Sequence, residues 1–254
     1  VTIPLQNSVV YGPVVSRRLG RSLGLNILPA DIKFCLSDCI YCQYGRTDFS
    51  KMKGAKLPPK AVLLEEIEKE LARLSAEGNR LDSITFSGNG EPTLHPDFPR
   101  LVEEVKNLRD LYYPGVPVSA LCDSTQIHRQ EIREALAKLD VRYMKLDAGD
   151  EETYRMLNHA VAKINWEQRV SNLGKISEIT LQSLFICAPV DNTADPHLRR
   201  WMDAVGKIAP REVHLYTIAR STADPAIRPA SRKRLEEISR SLRERTGICA
   251  TVFG

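Results

Sequence analysis

The alternation of short β-type segments with amphipathic helical ones is what most narrows the folds open to this chain. Period-two or continuous apolar runs predict strands over 22–28, 82–87, 116–122, 141–147, 178–187 and 211–218, with a last short strand over 248–253. Apolar residues at helical spacing predict helices over 60–76, 98–109, 125–139, 166–175, 196–208 and 231–245, and Asp150 opens a further short one. In the first of these helices Leu63 or Leu64, Ile67, Leu71 and Leu74 form one stripe, and Gly78 ends it. Strands that alternate with helices pair in parallel, because each helix carries the chain back to the start of the next strand. Six such units in 254 residues point to an α/β fold, a partial (β/α)6 TIM-like barrel, with a doubly wound open sheet as the alternative. No linker or internal repeat divides the sequence, so residues 1–254 read as a single domain.

The strands carry a second signal. A parallel strand covered on both faces reads as a near-continuous apolar run, and several here do not. Ser22, Gly24 and Asn26 alternate with Leu23, Leu25 and Ile27; Ser83, Thr85 and Ser87 alternate with Ile84 and Phe86. Tyr143, Lys145 and Asp147 alternate with Met144 and Leu146; His214 and Tyr216 alternate with Val213 and Leu215. Successive side chains point to opposite faces. The apolar sets are therefore expected against the helices and the polar sets inside the barrel. A buried lysine needs a partner, so Lys145 is expected to meet a carboxylate, with Asp147 and Glu91 nearest by position.

The connection 29–59 is longer than ordinary loops, and loops of that length tend to be functional. It holds Cys35, Cys39 and Cys42, three of the six cysteines. Three thiolates this close can converge on one soft metal centre. A structural zinc site normally takes four protein ligands, and a conventional iron–sulfur cluster takes four cysteines. Three cysteines leave one iron open for a small molecule. A zinc knuckle completed by a distant residue, and a disulfide, are the alternatives. No run approaches the roughly 18 apolar residues of a membrane span, and the first residues lack a signal pattern. A cytoplasmic location is the expectation, and thiols there stay reduced. Cys122, Cys187 and Cys249 read as buried structural thiols, with an auxiliary cluster or a catalytic thiol as the alternative. His95, His128, His159, His197 and His214 form no metal-spaced pair. The net charge of +4 is too mild to imply nucleic acid by itself. Arg46, Lys51, Lys53, Lys56 and Lys60 set against Asp48 form a basic run just past the cysteines, either a solvated loop or an anion-docking surface.

Three further turns close strands. Gly88, Asn89, Gly90 and Glu91 follow the second strand, where glycines let backbone approach a ligand. Lys145 to Gly149 closes the fourth, where Asp147 can accept from hydroxyls or cap the next helix. Tyr216, Thr217, Ile218 and Ala219 follow the sixth.

These motifs together resemble the radical S-adenosylmethionine (SAM) superfamily, and within it the group related to tRNA wyosine synthase. The likeness is carried by Tyr11-Gly12-Pro13-Val14-Val15-Ser16-Arg17-Arg18-Leu19-Gly20, by Asp38-Cys39-Ile40-Tyr41-Cys42-Gln43, by Gly90-Glu91-Pro92-Thr93-Leu94 and by the Lys145 motif. Gly90-Glu91 is similar to the superfamily's Gly-Gly-Glu motif, with Asn89 in place of one glycine. The resemblance implies a barrel of the radical SAM type and a [4Fe–4S] cluster held by Cys35, Cys39 and Cys42. It implies SAM on the open iron, contacted by Tyr41, Gly88, Asn89, Gly90, Glu91, Asp147 and Thr217. Reductive cleavage would then release a 5′-deoxyadenosyl radical that takes hydrogen from an RNA base or a small polar metabolite, in an oxidoreductase- or transferase-type reaction. Flavodoxin or ferredoxin is the implied electron donor, and no membrane is involved. Lys145, Tyr143, His214 and Tyr216 are expected to line the pocket for SAM and substrate. Activases that place a glycyl radical on a partner enzyme share the cysteine spacing and are the alternative, followed by a non-catalytic iron–sulfur module. Wyosine synthase has further cysteines ahead of its SAM loop, whereas none precedes Cys35.

Overall fold

Polar residues that interrupt the strands turn inward, and their apolar neighbours meet the helices. The structure, a computed structural model, describes residues 2–161, 165–220, 222 and 224–254. The chain runs β1 (Val10–Ser16), β2 (Gly20–Leu25), α1 (Phe49–Met52), α2 (Lys60–Ala76), β3 (Ser83–Phe86), α3 (Phe98–Tyr112), β4 (Val118–Cys122) and α4 (Gln130–Lys138). It continues β5 (Val141–Lys145), α5 (Glu151–Asn158), α6 (Trp166–Gly174), β6 (Ile179–Leu184), β7 (Ile186–Ala188), α7 (Asp195–Ile208), β8 (Glu212–Tyr216), β9 (Arg228–Pro229), α8 (Arg232–Thr246) and β10 (Ala250–Phe253). Eight strands form one sheet in the order β1-β2-β3-β4-β5-β6-β8-β10. From β2 to β10 every pairing is parallel, and β1 adds antiparallel to β2 at the edge.

The sheet is curled into a half-barrel. Arg18, in the β1–β2 turn, donates to Gln182 Oε1 on β6 at 2.9 Å and lies 4.3 Å over the Tyr216 ring on β8. A flat sheet would keep those strands apart. Outside the curl, Leu23, Ile84, Phe86, Val118, Met144, Leu181, Val213 and Leu215 are buried in one core with helix residues such as Ile67, Leu71, Val105, Leu136, Val205 and Ile238. Inside it, Ser22, Ser83, Thr85 and Ser119 form a ladder of hydroxyl contacts of 2.8–3.1 Å across three strands. Each hydroxyl both donates and accepts, so polar atoms can be buried here without loss.

Several elements depart from the sequence reading. The turn-rich 11–20 stretch is mostly β1, an edge strand whose exposed Val14 and Val15 carry no buried-face pattern. The strand expected over 178–187 splits, because Asn192 Oδ1 accepts from Ile186 N and its amide donates to Leu184 O and Asp147 O. That side chain draws the chain off the sheet, and β7 pairs with β9 instead. The helix expected over 125–139 starts at Gln130, since Asp123 Oδ1 accepts from both Thr125 N and Oγ1 and Ser124 is left-handed. Cys122 is buried, but Cys187 and Cys249 are exposed rather than buried, and all six cysteines are free thiols.

Arg142 went unread in the sequence. It donates to Leu136 O, Ala137 O and Leu139 O at the end of α4 and to Ser177 O, at 2.6–3.1 Å. These are the carbonyls a helix end leaves without intrahelical partners. Arg142→Met is expected to destabilise the fold by about 2–3 kcal/mol, the scale of losing charged hydrogen bonds to buried acceptors. Urea unfolding measures it, and a midpoint unchanged from wild type would contradict the assignment.

Candidate active site

The cysteine loop crosses the C-terminal ends of the strands and is zipped down on both sides. On one side Phe34 N donates to Asn89 O at 2.7 Å and Glu91 N donates to Phe34 O at 3.0 Å. Gly90 has φ +152°, and a Cβ there would lie 1.9 Å from Phe34 O. The glycine is thus demanded by the close approach of the cysteine loop itself. On the other side Asp38 N and Ile40 N donate to Asn158 O and Leu157 O, the free carbonyls at the end of α5.

This seating brings the three thiols together. Cys39 O accepts from Cys42 N at 3.0 Å, and Cys35 Sγ accepts from Ser37 N at 3.4 Å. Lys33, which the sequence reading passed over, is buried among them. Burial works against its charge, but Cys42, Cys35, Cys39 and Asp38 outweigh that and hold the ammonium above its ordinary value. Its Nζ donates to Gly45 O at 2.8 Å. Burial, Asp123 and Cys39 push the Cys35 thiol well up; burial and Cys42 push Cys39 up to about 11. Cys35 is buried and Cys39 and Cys42 half-buried, and three such sulfurs backed by one ammonium fit a group that brings positive charge and accepts three cysteines. Among the described residues no set of three His, Cys, Asp or Glu closes around a single metal ion. A cubane does not need that, because each cysteine ligates its own iron.

Beside Cys39 lies a second network, from the ends of β5, α5 and β8. Asp147 is buried; its Oδ1 accepts from Leu184 N at 2.8 Å and its Oδ2 from the Tyr41 hydroxyl and, at 3.1 Å, from Asn158 Nδ2. Lys145 Nζ stands 3.3 Å from Asp147 Oδ2 and donates to the Tyr216 hydroxyl at 2.9 Å. Burial alone would lower the lysine's pKa, but Asp147, Tyr216 and Cys39 raise it, so it is held as an ammonium. Tyr41 is pushed well up by burial and by Asp147. Asn158 Nδ2 also donates to Cys39 Sγ at 3.1 Å, while its buried Oδ1 has no partner. That leaves an acceptor beside the thiols for a donor on a bound group. Its partners beside the thiols, Cys39 and Tyr41, lie more than 100 positions away in the sequence, which is why nothing local marks it.

The structure separates other expected residues. Asn89 is fully buried, its side chain bonded to Gln6 N and O and to Pro29 O and its backbone to Phe34 N and Asn26 Oδ1, so it braces the turn rather than facing the mouth. Gly88, with φ +117°, packs on Asn26. Glu91 is not Lys145's partner. Its carboxylate accepts from Thr93 N and Oγ1 and from Asp123 N, and burial with Asp123 raises its pKa well above the usual range. Thr217 Oγ1 donates to Phe185 O at 2.7 Å and accepts from Ala230 N at 3.0 Å. Tyr143 and His214 stack 5.6 Å apart in the interior, His214 also against Phe253. Asp123, unremarked in the sequence, accepts from Ser37 Oγ at 2.9 Å and from Cys35 Sγ at 3.5 Å.

Two of the cavities that open at this end of the barrel lie against the Tyr41–Tyr216 side of the site. One of ≈ 460 Å³ is lined by Tyr41, Tyr216 and Thr217; the other, of ≈ 1710 Å³ with its open mouth, runs past Tyr11, Ser87, Gly88 and Gly90. Tyr143, Lys145 and His214 line neither. No helix among the described residues is long and apolar enough to cross a membrane.

Comparison with known proteins agrees with this geometry. The Radical SAM superfamily model matches residues 31–205. A UPF0026 protein of Synechocystis is 31% identical over 211 residues, 81% of this chain and 74% of that protein. A protein of Brachyspira hyodysenteriae named GTPase Obg is 30% identical over 92% of this chain, and a UPF0026 protein of Methanocaldococcus jannaschii is 35% identical over 59% of it. The chain spans only 33% and 44% of those two proteins' lengths. Among solved structures, a radical SAM methyltransferase from Sphaerobacter thermophilus superposes with TM-score 0.67 at 15% identity, covering 91% of this chain and 65% of that one. TYW1 with a lysine–pyruvate adduct superposes with TM-score 0.61 at 14% identity, covering 89% and 74%. The chain belongs to the radical SAM superfamily, whose members use a [4Fe–4S] cluster and SAM, and it is one of the UPF0026 proteins.

Proposed function

We propose that this chain, acting as a single domain in the cytoplasm, takes hydrogen from a small polar metabolite or an RNA base at the mouth of the half-barrel. The observation that carries the reading is the convergence of Cys35, Cys39 and Cys42 around Lys33, directly beside the Tyr41–Asp147–Lys145–Tyr216 network. The three cysteines are read as cluster ligands. A cluster held there would supply, on reduction, the electron for reductive cleavage of SAM.

The chain's own part is binding, orientation and charge. Asp147 Oδ2 and the unpartnered Asn158 Oδ1 offer acceptors to SAM's hydroxyl or N–H groups. Gly88 and Gly90, with residues 217–219, wall the cavities where SAM would lie. Lys33 and Lys145, both ammonium, would offset the cysteine sulfurs once these bind a cluster as thiolates. Tyr216 is oriented by Lys145 toward the same space, while Tyr143 and His214 pack on one another deeper in the interior. The anaerobically reconstituted, dithionite-reduced protein is expected to convert SAM to 5′-deoxyadenosine and methionine in equal amounts. An intact chromophore that leaves SAM uncleaved would overturn the reading.

The electron donor is read as an acidic flavodoxin or ferredoxin. Lys51, Lys53 and Lys56 lie on and after α1, on the cysteine loop itself, and all three are exposed. Charge steering raises association rates and fades with salt. Reversing these three lysines to Glu is expected to slow flavodoxin-driven SAM cleavage by about tenfold or more at low ionic strength and to spare dithionite-driven cleavage. Equal loss with both reductants would contradict the docking role.

A further inference from the structure

The larger cavity and the smaller one beside Tyr41 share Arg17, Arg18, Gln43, Ala219 and Arg220, so they are one continuous cleft. Its electrostatics are one-sided. Among the described residues no Asp or Glu lines either part. Arg17, Arg18 and Arg220 form no ion pair among the described residues, although most arginines of this chain do. Arg17 and Arg220 make no side-chain hydrogen bond there either. Arg18 is held in place by Gln182 and by the Tyr216 ring, with most of its donors left over. These side chains come from opposite sides of the half-barrel, the β1–β2 turn at one edge and the segment after β8, the strand next to the other edge. Their meeting at one cleft is therefore produced by the curl of the sheet.

Three guanidinium groups without counter-charge focus a positive potential in a walled cleft. Guanidinium binds planar or tetrahedral oxyanions through paired N–H donors. A monocarboxylate would leave two of the three charges unanswered. A phosphate monoester, with a second pKa near about 6, carries close to two negative charges at neutral pH. Tyr11 and Tyr44 on the same wall add hydroxyls and ring faces for the body of such a molecule. Resting on the reading of the barrel mouth as the place where substrate meets SAM, we infer that the substrate is a small phosphate ester that shares this cleft with SAM, its phosphate gripped by Arg17, Arg18 and Arg220.

Binding of AMP and of inorganic phosphate to the reconstituted, unreduced holoprotein tests this directly by titration calorimetry, with and without saturating SAM. Both probes are expected to bind, with or without SAM, more weakly as salt rises. An Arg17→Gln, Arg220→Gln double variant is expected to bind them at least tenfold more weakly. Arg18→Lys, which keeps the charge and loses the fork, is expected to weaken binding too; unchanged thermal midpoints show that the variants are folded. Displacement of phosphate by SAM would mean that the arginines hold SAM's carboxylate, and would overturn the inference. So would unchanged binding in the double variant, or no binding up to about 10 mM, weaker than any useful site. A short RNA oligonucleotide that binds far more tightly than AMP would replace the small ester with a polymer backbone and overturn it as well. SAM cleavage is measured on the same wild-type preparation. Cleavage without phosphate binding removes the phosphate site alone, whereas phosphate binding without cleavage removes the radical SAM reading.

Discussion

Replacing Cys35, Cys39 or Cys42 with Ala is expected to abolish the iron–sulfur chromophore in each case and to lower SAM cleavage by at least about a thousandfold, to background. Losing one of three ligands leaves a cubane two protein attachments short of its usual four cysteines. No other thiol is placed to step in. Cys122 sits opposite Met144 on the helix side of β4, and Cys187 and Cys249 lie exposed on and before other strands. The fold should tolerate these changes. The loop is tied by backbone bonds from Phe34, Asp38 and Ile40 and by Lys33 to Gly45, none of which uses a cysteine side chain. Circular dichroism and the melting midpoint of the metal-free variants check that point. A single variant that keeps both its chromophore and its SAM cleavage would remove that residue from the ligand set.

The second large effect belongs to Lys145. Removing one member of a buried ion pair typically costs about 3–5 kcal/mol, because the remaining charge is stranded. Asp147 keeps donors from Leu184 N, Asn158 Nδ2 and Tyr41, so Lys145→Met is expected near the lower end, about 3 kcal/mol. The pH dependence has a definite sign. The lysine's folded pKa lies above its unfolded value, so its contribution is complete below the unfolded value of about 10.4 and declines only as pH rises through the folded one. The stability gap between wild type and Lys145→Met should therefore stay flat from about pH 6 to pH 9. The cluster should still assemble, while SAM cleavage drops by about a hundredfold, since Tyr41, Asp147 and Tyr216 lose the group that orients them toward the mouth. Unfolding curves and initial rates measure both. Wild-type rates in a fully loaded Lys145→Met protein would sink the role assigned to this network.

Much of this was legible because the fold rests on local periodicity. Alternation along β5 put Tyr143, Lys145 and Asp147 on one side and Met144 on the other, and the structure joins Lys145 to Asp147 inside the barrel. The helix stripes were equally plain; Leu63, Ile67, Leu71 and Leu74 are all buried. What escaped were features whose cause lies far along the chain. Asn158 reaches Cys39 and Tyr41 only because the end of α5 accepts the cysteine loop. Asn192 peels β7 away through bonds that a single apolar run, 178–187, could not announce. The edge strand β1 was hidden because an exposed strand has no face to bury. Glu91 looked, from its place after β3, like a possible partner for Lys145, yet its oxygens hold the Thr93 turn and Asp123 N. Arg18 and Arg220, 202 positions apart, share a cleft only once the sheet has curled.

The most direct test of the central claim is the iron and acid-labile sulfide content of the anaerobically reconstituted wild-type chain, read with its reduced electron paramagnetic resonance spectrum before and after SAM. One site held by Cys35, Cys39 and Cys42 predicts about four irons and four sulfides per chain and a spectrum that changes when SAM binds. About eight irons per chain, a single zinc, or a four-iron spectrum indifferent to SAM would contradict it.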